Sequence, residues 1–411
     1  MIERTTKTRM SVIRAEVLTR LATRPMSYTA LRGAQILALG VNALVLALLL
    51  GVHQYALYAR GAFFATPFSA ISFLGQDQLL FRRKIDARTL MRRLALIQVV
   101  VGIGVLALAA ATTNWSVLPT VISSCIGTAG MGVMAVRLLS AQLEGRDDLR
   151  AVGQLLNAVT VQSAAIVAAL LGAGAFVATT AATVVSLLWV VAIRDRHSKR
   201  ARVRPAAPFR SGVAVGIGTT AYGSITATIA LVVAIRAPDV IAARDRFVLL
   251  AFSALLGVAA SLNAEYFRVR LFDPQAARER KDVERAMLRA NVSIAGAVAL
   301  GVVVSAYFAR VVLPARYGDV GRPIAELAVV VPLLFGSSML FNIELARNRV
   351  AIAVTRNLFA GVFCLIAALL VSPVPSNIVA ILTISEASGF AILGGSSLYL
   401  RLNRGAYRSR R

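Results

Sequence analysis

Apolar residues in this chain fall in runs of about twenty, separated alternately by short, mostly uncharged turns and by strongly basic loops. A run of that length coiled as a helix crosses the ~30 Å hydrocarbon core of a bilayer, so each run predicts one membrane span. Six spans are predicted in the first part of the chain: Ala34 to Val52, Tyr55 to Leu80, Leu94 to Ala111, Val117 to Ser140, Val152 to Leu171 and Phe176 to Ile193. Six more follow: Ser211 to Ile235, Phe247 to Phe267, Ala290 to Leu313, Ile324 to Leu345, Val350 to Val371 and Ile378 to Leu400. The fold class expected is all-α, a polytopic membrane protein with twelve transmembrane helices in two pseudo-symmetric six-helix lobes.

The division into lobes comes from the segment between the two sets, RDRHSKRARVRPAAPFR, residues 194–210. Its basic residues cannot enter hydrocarbon, where each costs roughly 2.5–3.5 kcal/mol, and Pro205 and Pro208 prevent a continuous helix through it. The expected organisation is a basic leader (1–33), a first lobe (34–193), the linker (194–210), a second lobe (211–400) and a basic tail (401–411). Met10, Ile13, Val17 and Leu21 recur at helical spacing among the leader's arginines, which fits an amphipathic helix on the membrane surface.

Charge sets the orientation. The linker, the loop after Leu80 (FRRKIDARTLMRR), the loop after Phe267 (RVRLFDPQAARERKDVERAMLR), the leader and the tail all belong to one side. By the positive-inside tendency that side, with both termini, is cytoplasmic. Arg236, Arg244, Arg246, Arg310, Arg316 and Arg322 are assigned to loops on the opposite, external side, where Asp239, Asp245, Asp319 and Glu326 are expected to be exposed. The net charge of +26 is accounted for by this topology and by anionic lipid headgroups, and nucleic acid is not a partner. Cys125 and Cys364 lie in apolar runs as packing residues. His53 and His197 have no company at ligand spacing, so no metal site is expected. Arginine in excess of lysine, together with abundant alanine, points to a bacterial chain and hence to the inner membrane.

Two stretches carry a family resemblance. LLLGVHQYALYARGAFFATPFSAISFLGQDQLLFRR joins two spans through a short aromatic turn and ends in a glycine followed by basic residues; VVLPARYGDVGRPIAELAVVVPLLFGSSMLFNIELARNR places Tyr-Gly after Leu-Pro before a helix with small central residues. In these features the chain resembles the polysaccharide (Wzx-type) flippases of the MATE/MOP exporter superfamily. It departs from them where relatives often carry an arginine at the end of the first helix: Leu48, Leu49 and Leu50 stand there. The resemblance implies two lobes around a central cavity, alternating access, no enzymatic activity and no cofactor beyond proton or sodium coupling. It also implies a cargo, a polyprenyl-diphosphate-linked saccharide, and polysaccharide-assembly proteins as partners. A diphosphate crossing hydrocarbon unaided would lose its hydration at a cost of order tens of kcal/mol for an isolated charge, which a cationic cavity offsets.

Several residues are candidates for that work. Glu386, about 15 Å into the last helix from Asn377 at 1.5 Å per residue, is either an ion-coupling carboxylate or an acid hydrogen-bonded to a neighbouring helix. Arg137 shares a face with Ser123 and Gly130 and reads as a phosphate contact or as a snorkelling side chain. Arg356 reads in the same two ways, with Glu344 or another acid as structural partner. Ser69 and Gln76, on a stripe of small and polar residues, and Thr219 and Tyr222, on one face of a glycine-rich helix, are sugar contacts or helix contacts. Arg60 lies across its helix from the Ser69 stripe and is expected to snorkel. A multidrug or metabolite exporter of the same superfamily stays open, although the acid on which cation exporters typically rely is replaced in the first helix by Gln35 and Asn42. A membrane glycosyltransferase, polymerase or ligase would need paired acids or histidines on a sizeable loop, and the external loops are short.

Overall fold

The computed structural model describes residues 25–71, 76–81, 85–143, 147–193, 208–209, 225–271, 280–313, 315–317, 319–347 and 349–408. Among them the chain is all-α, without a strand. The helical stretch Pro25–Ile71 is broken at Gly51, whose φ of 70° and ψ of 172° lie outside helical space. Glycine carries that backbone without steric cost, and it separates α1 (25–50) from α2 (52–71). There follow α3 (Ala87–Thr112), α4 (Leu118–Leu143), α5 (Asp147–Leu170), α6 (Ala175–Ala192), α7 (Ile225–Arg236), α8 (Asp239–Ala260), α9 (Arg280–Val312), α10 (Gly321–Ala346), α11 (Val350–Leu370) and α12 (Pro375–Arg408).

Among the described residues each predicted run overlaps a helix in the expected order, the seventh only through Ile225–Arg236, while some ends differ for identifiable reasons. α1 begins at Pro25, inside the expected leader, because proline at a helix start gives up a donor that has no partner there anyway. α8 begins eight residues earlier than expected, at Asp239, so Arg244, Asp245 and Arg246 lie within a helix and not in an external loop. α9 starts at Arg280 and extends its charged first turns out of the apolar zone, where Asp282 and Arg285 pair at i,i+3 spacing. The rest of the leader, most of the linker, and Thr219 and Tyr222 lie outside the described residues.

A continuous apolar core runs through both sets of helices. It includes Leu46, Tyr55, Phe63, Phe64 and Val121 in the first, and Phe252, Leu334, Phe335 and Leu382 in the second. Outward faces are apolar too: Leu96, Val99 and Ile103 on α3, Leu300, Phe308 and Val311 on α9, and Phe359, Val362 and Ile366 on α11 are all exposed. Apolar surface this extensive needs lipid against it. The stretch formed by α1 and α2 packs on α4, α5 and α8, so it joins the two halves.

The short turns gather at one end of the bundle. His53 and Arg60 of α2 meet Asp239 of α8, Arg236 donates to the Leu369 carbonyl, and Arg244 to that of Asp319. The opposite end carries the basic segments. There Arg93 donates to Gln76 (2.7 Å), Gln76 donates to the carbonyl of Phe209 (3.1 Å) and Arg347 bridges to Glu284 on α9 (2.9 Å).

Candidate functional site

α10, α11 and α12 enclose a polar cluster inside the second half. Arg356 of α11 and Glu386 of α12 form an ion pair of 2.8 Å, with 2% and 1% of their side chains exposed. Ser337 of α10 ties the pair together, donating to Glu386 Oε2 at 2.8 Å and accepting from Arg356 Nη2 at 2.9 Å. Arg356 Nη1 donates to Asn357 Oδ1 at 2.7 Å. Glu386 lies eleven residues after Pro375, about 16 Å along α12. Gly389, one turn further on, makes the arrangement possible: a Cβ there would collide with Arg356 Nε. Glu386 Oε1 is buried with no hydrogen-bond partner among the described residues. Two opposite charges this deep in a membrane protein are held by each other and cost free energy when separated. Glu344, the acid that sequence offered to Arg356, instead accepts from Arg347 (3.3 Å) and Arg349 (3.1 Å) near the basic end.

A seam between α2 and α8 is shut at the short-turn end. Asp239 takes Arg60 at 2.7 Å and His53 Nδ1 at 2.6 Å, and Arg60 also donates to the carbonyl of Ala237 at 2.9 Å. Below this latch Tyr55 stacks on Phe247 (centroids 5.3 Å apart) and both meet the edge of Tyr317, whose hydroxyl donates to the carbonyl of Ala47 at 2.7 Å. Arg246 lies 5.8 Å from the centroid of the Phe63 ring. Aromatic surface, hydrogen bonds and ion pairs therefore close one mouth of the interface between the halves. Toward the other end α8 passes through a π-helical turn, Ser261–Phe267, a feature frequent at functional sites. Its Asn263 exchanges two 2.8 Å hydrogen bonds with Asn291 of α9, and Arg268 donates to Asn342 of α10 at 2.6 Å.

Several solved structures superpose on this chain over nearly its full length. A Vibrio cholerae MATE transporter superposes with a TM-score of 0.60 at 11% identity, covering 92% of this chain and 97% of that one. An outward-facing multidrug resistance MATE family transporter of the MOP superfamily gives 0.55 at 14% (96% and 99%), and a eukaryotic MATE transporter 0.53 at 15% (93% and 94%). This chain has the MATE/MOP transporter fold. No family model and no curated protein matches the sequence. The MATE-like fold makes the α2–α8 seam the contact between two six-helix halves and puts the Arg356–Glu386 pair within the second of them.

The remaining candidates are distributed through this fold. Arg137 sits on α4 with the rest of its stripe against α6: Thr183 donates to the Ser123 carbonyl at 2.9 Å, and a Cβ on Gly130 would meet Leu187. Arg137 Nη1 donates to the carbonyls of Val190 and Ile193, capping the C-terminus of α6. Gln76 is fully buried between Arg93 and Phe209. Ser69 lies near the end of α2, its side chain outside the described residues. Sequence reasoning brought Arg356 and Glu386 forward separately and missed their union, because spacing along two different helices does not reveal which helices are neighbours. It missed Ser337 and Asn357 for the same reason. The Asp239 latch had a readable signal: His53, Arg60 and Asp239 were all assigned to one end of the protein, and opposite charges at one end attract.

Proposed function

We propose that this protein is an alternating-access transporter that moves a polyprenyl-diphosphate-linked saccharide from the inner to the outer leaflet of a bacterial inner membrane. In this reading the basic loops and both termini are cytoplasmic, and the short-turn end, shut by the Asp239 latch, is external. The observation that carries the reading is Arg356, an arginine buried at depth and ion-paired with the Glu386 carboxylate. Guanidinium binds phosphate oxygens bidentately as well as carboxylates. Protonation of Glu386, or a cation at it, weakens its hold on Arg356 and releases the guanidinium to a diphosphate. Departure of the headgroup restores the pair. Glu386 is thereby the coupling residue and Arg356 the phosphate contact, while the lipid tail stays among the apolar outer faces. Polysaccharide-assembly proteins are the partners this cargo implies.

The test is a gene deletion with lipid-linked saccharide measured in each leaflet. Loss of the gene is expected to leave the saccharide on the inner leaflet, with restoration by the wild type and not by Arg356→Ala. An unchanged leaflet distribution rejects the proposal. Export of a drug or metabolite is the second reading, favoured by the fold similarity to a multidrug resistance transporter; a deletion that alters drug susceptibility and leaves the saccharide undisturbed selects it.

A further inference from the structure

One membrane-embedded acid takes no part in the mechanism above. Asp245 lies six residues after Asp239, about 9 Å along α8. It is fully buried, and neither of its oxygens has a hydrogen-bond partner among the described residues. On its own helix it shares a face with Ala242, Val248, Leu249 and Phe252, all buried. The neighbouring Arg244 charge acts on Asp245 at a distance, Tyr55 of α2 is buried against α8 with Tyr58 half-buried beside it, and the hydrogen bonds and ion pairs of the surrounding charged groups go elsewhere. On α8, Arg244 donates to the Asp319 carbonyl and Arg246 lies against the Phe63 ring. On α2, His53 and Arg60 hold Asp239. On α9, Arg310 is exposed; on α10, Arg322 pairs with Glu326, and Glu344 with Arg347 and Arg349. On α12, Glu386 pairs with Arg356. A carboxylate buried without a hydrogen-bond donor among the described residues is costly as an anion, and the neutral acid is the form this surrounding favours.

A route for its proton lies directly above. A cavity of about 360 Å³ at the short-turn end is lined by Ile241, Arg244, Asp319, Arg322, Glu326 and the first residues of α12. Ile241 precedes Asp245 by four residues and therefore stands one turn above it on the same helix face. Polar and charged groups line the rim and apolar ones surround the acid beneath it.

We propose that Asp245 is a proton-binding site: a carboxylic acid, neutral in this conformation, that exchanges its proton with water at the short-turn end. When the packing between this cavity and the carboxyl opens and water reaches it, its O–H bond breaks, the proton passes to water as hydronium, and the carboxylate is left hydrated. This site is independent of the cargo and holds equally for a saccharide flippase or an exporter.

Infrared spectroscopy of the full-length protein in lipid nanodiscs at neutral pH tests it, reading the C=O stretch of protonated carboxylic acids. The expected result is a band that shifts on transfer to D₂O, is lost in Asp245→Asn and persists in Glu386→Gln. Asp245→Glu retains an acid and is expected to keep a band, which separates loss of the proton site from loss of the fold. Undiminished intensity in Asp245→Asn overturns the site, and a band unaffected by D₂O overturns the route to water.

Discussion

Removing one member of the Arg356–Glu386 pair leaves the other charge buried without its partner, and the structure fixes how large the effect is. At 2.8 Å and an effective dielectric of about 20, the gross attraction is about 6 kcal/mol, much of it offset by the desolvation of both groups. Breaking such a pair from one side costs about 3–5 kcal/mol, whereas replacing both members with apolar residues of similar volume is near neutral. Glu386→Met and Arg356→Met are therefore each expected to lower the apparent Tm by about 3–6 °C, and the double variant, apolar at both positions, to melt close to the wild type. The protein supplies its own probe: Cys125 and Cys364 are free thiols buried in the bundle, so a thiol-reactive fluorophore reports their exposure on heating. Strict additivity, with the double variant melting at the sum of the two single losses, would refute the coupling. Single variants that melt with the wild type would show that neither charge is confined as described.

Three further outcomes follow from named contacts. Asp239→Asn removes the charge that holds Arg60 and His53, so spin labels at Trp115 and Val374 should acquire a longer-distance population by electron–electron resonance; an unaltered distribution removes the latch. Gly389→Ala places a methyl against Arg356 Nε, closer than van der Waals contact allows, and the guanidinium must shift from its site, so this change should reproduce the thermal loss of Glu386→Met; a neutral result contradicts the packing. Asp86 caps α3, accepting from Thr89 N at 2.7 Å, and hydrogen bonding from the Thr89 side chain first and its backbone N–H second holds the Asp86 carboxyl below the usual value. Its contribution, about 1 kcal/mol, is full above the unfolded pKa of about 3.9 and lost as pH falls through the lower folded value. Asp86→Ala should therefore melt below the wild type at neutral pH and converge with it in strong acid.

The sequence by itself determined the number of helices, their order and the end of the bundle to which each connection belongs. Those properties depend on local quantities: a run's length against bilayer thickness, and the cost of placing arginine in hydrocarbon. Helix ends were less legible where charge continued into a helix. Arg244 and Arg246 led α8 to be read as starting at Phe247, although Ile241, Asp245, Val248 and Phe252 already followed helical periodicity. Glu386 and Arg356 were visible as costly residues, but their partnership was not. Which helix faces which is settled by packing between segments far apart in the chain, such as the close approach of Arg356 to the backbone at Gly389, and no one-dimensional pattern encodes it. The tertiary structure alone decided that Arg137 caps α6, that Asp239 closes the seam and that Asp245 is buried without a hydrogen-bond donor among the described residues, because burial and pairing are properties of the space between helices.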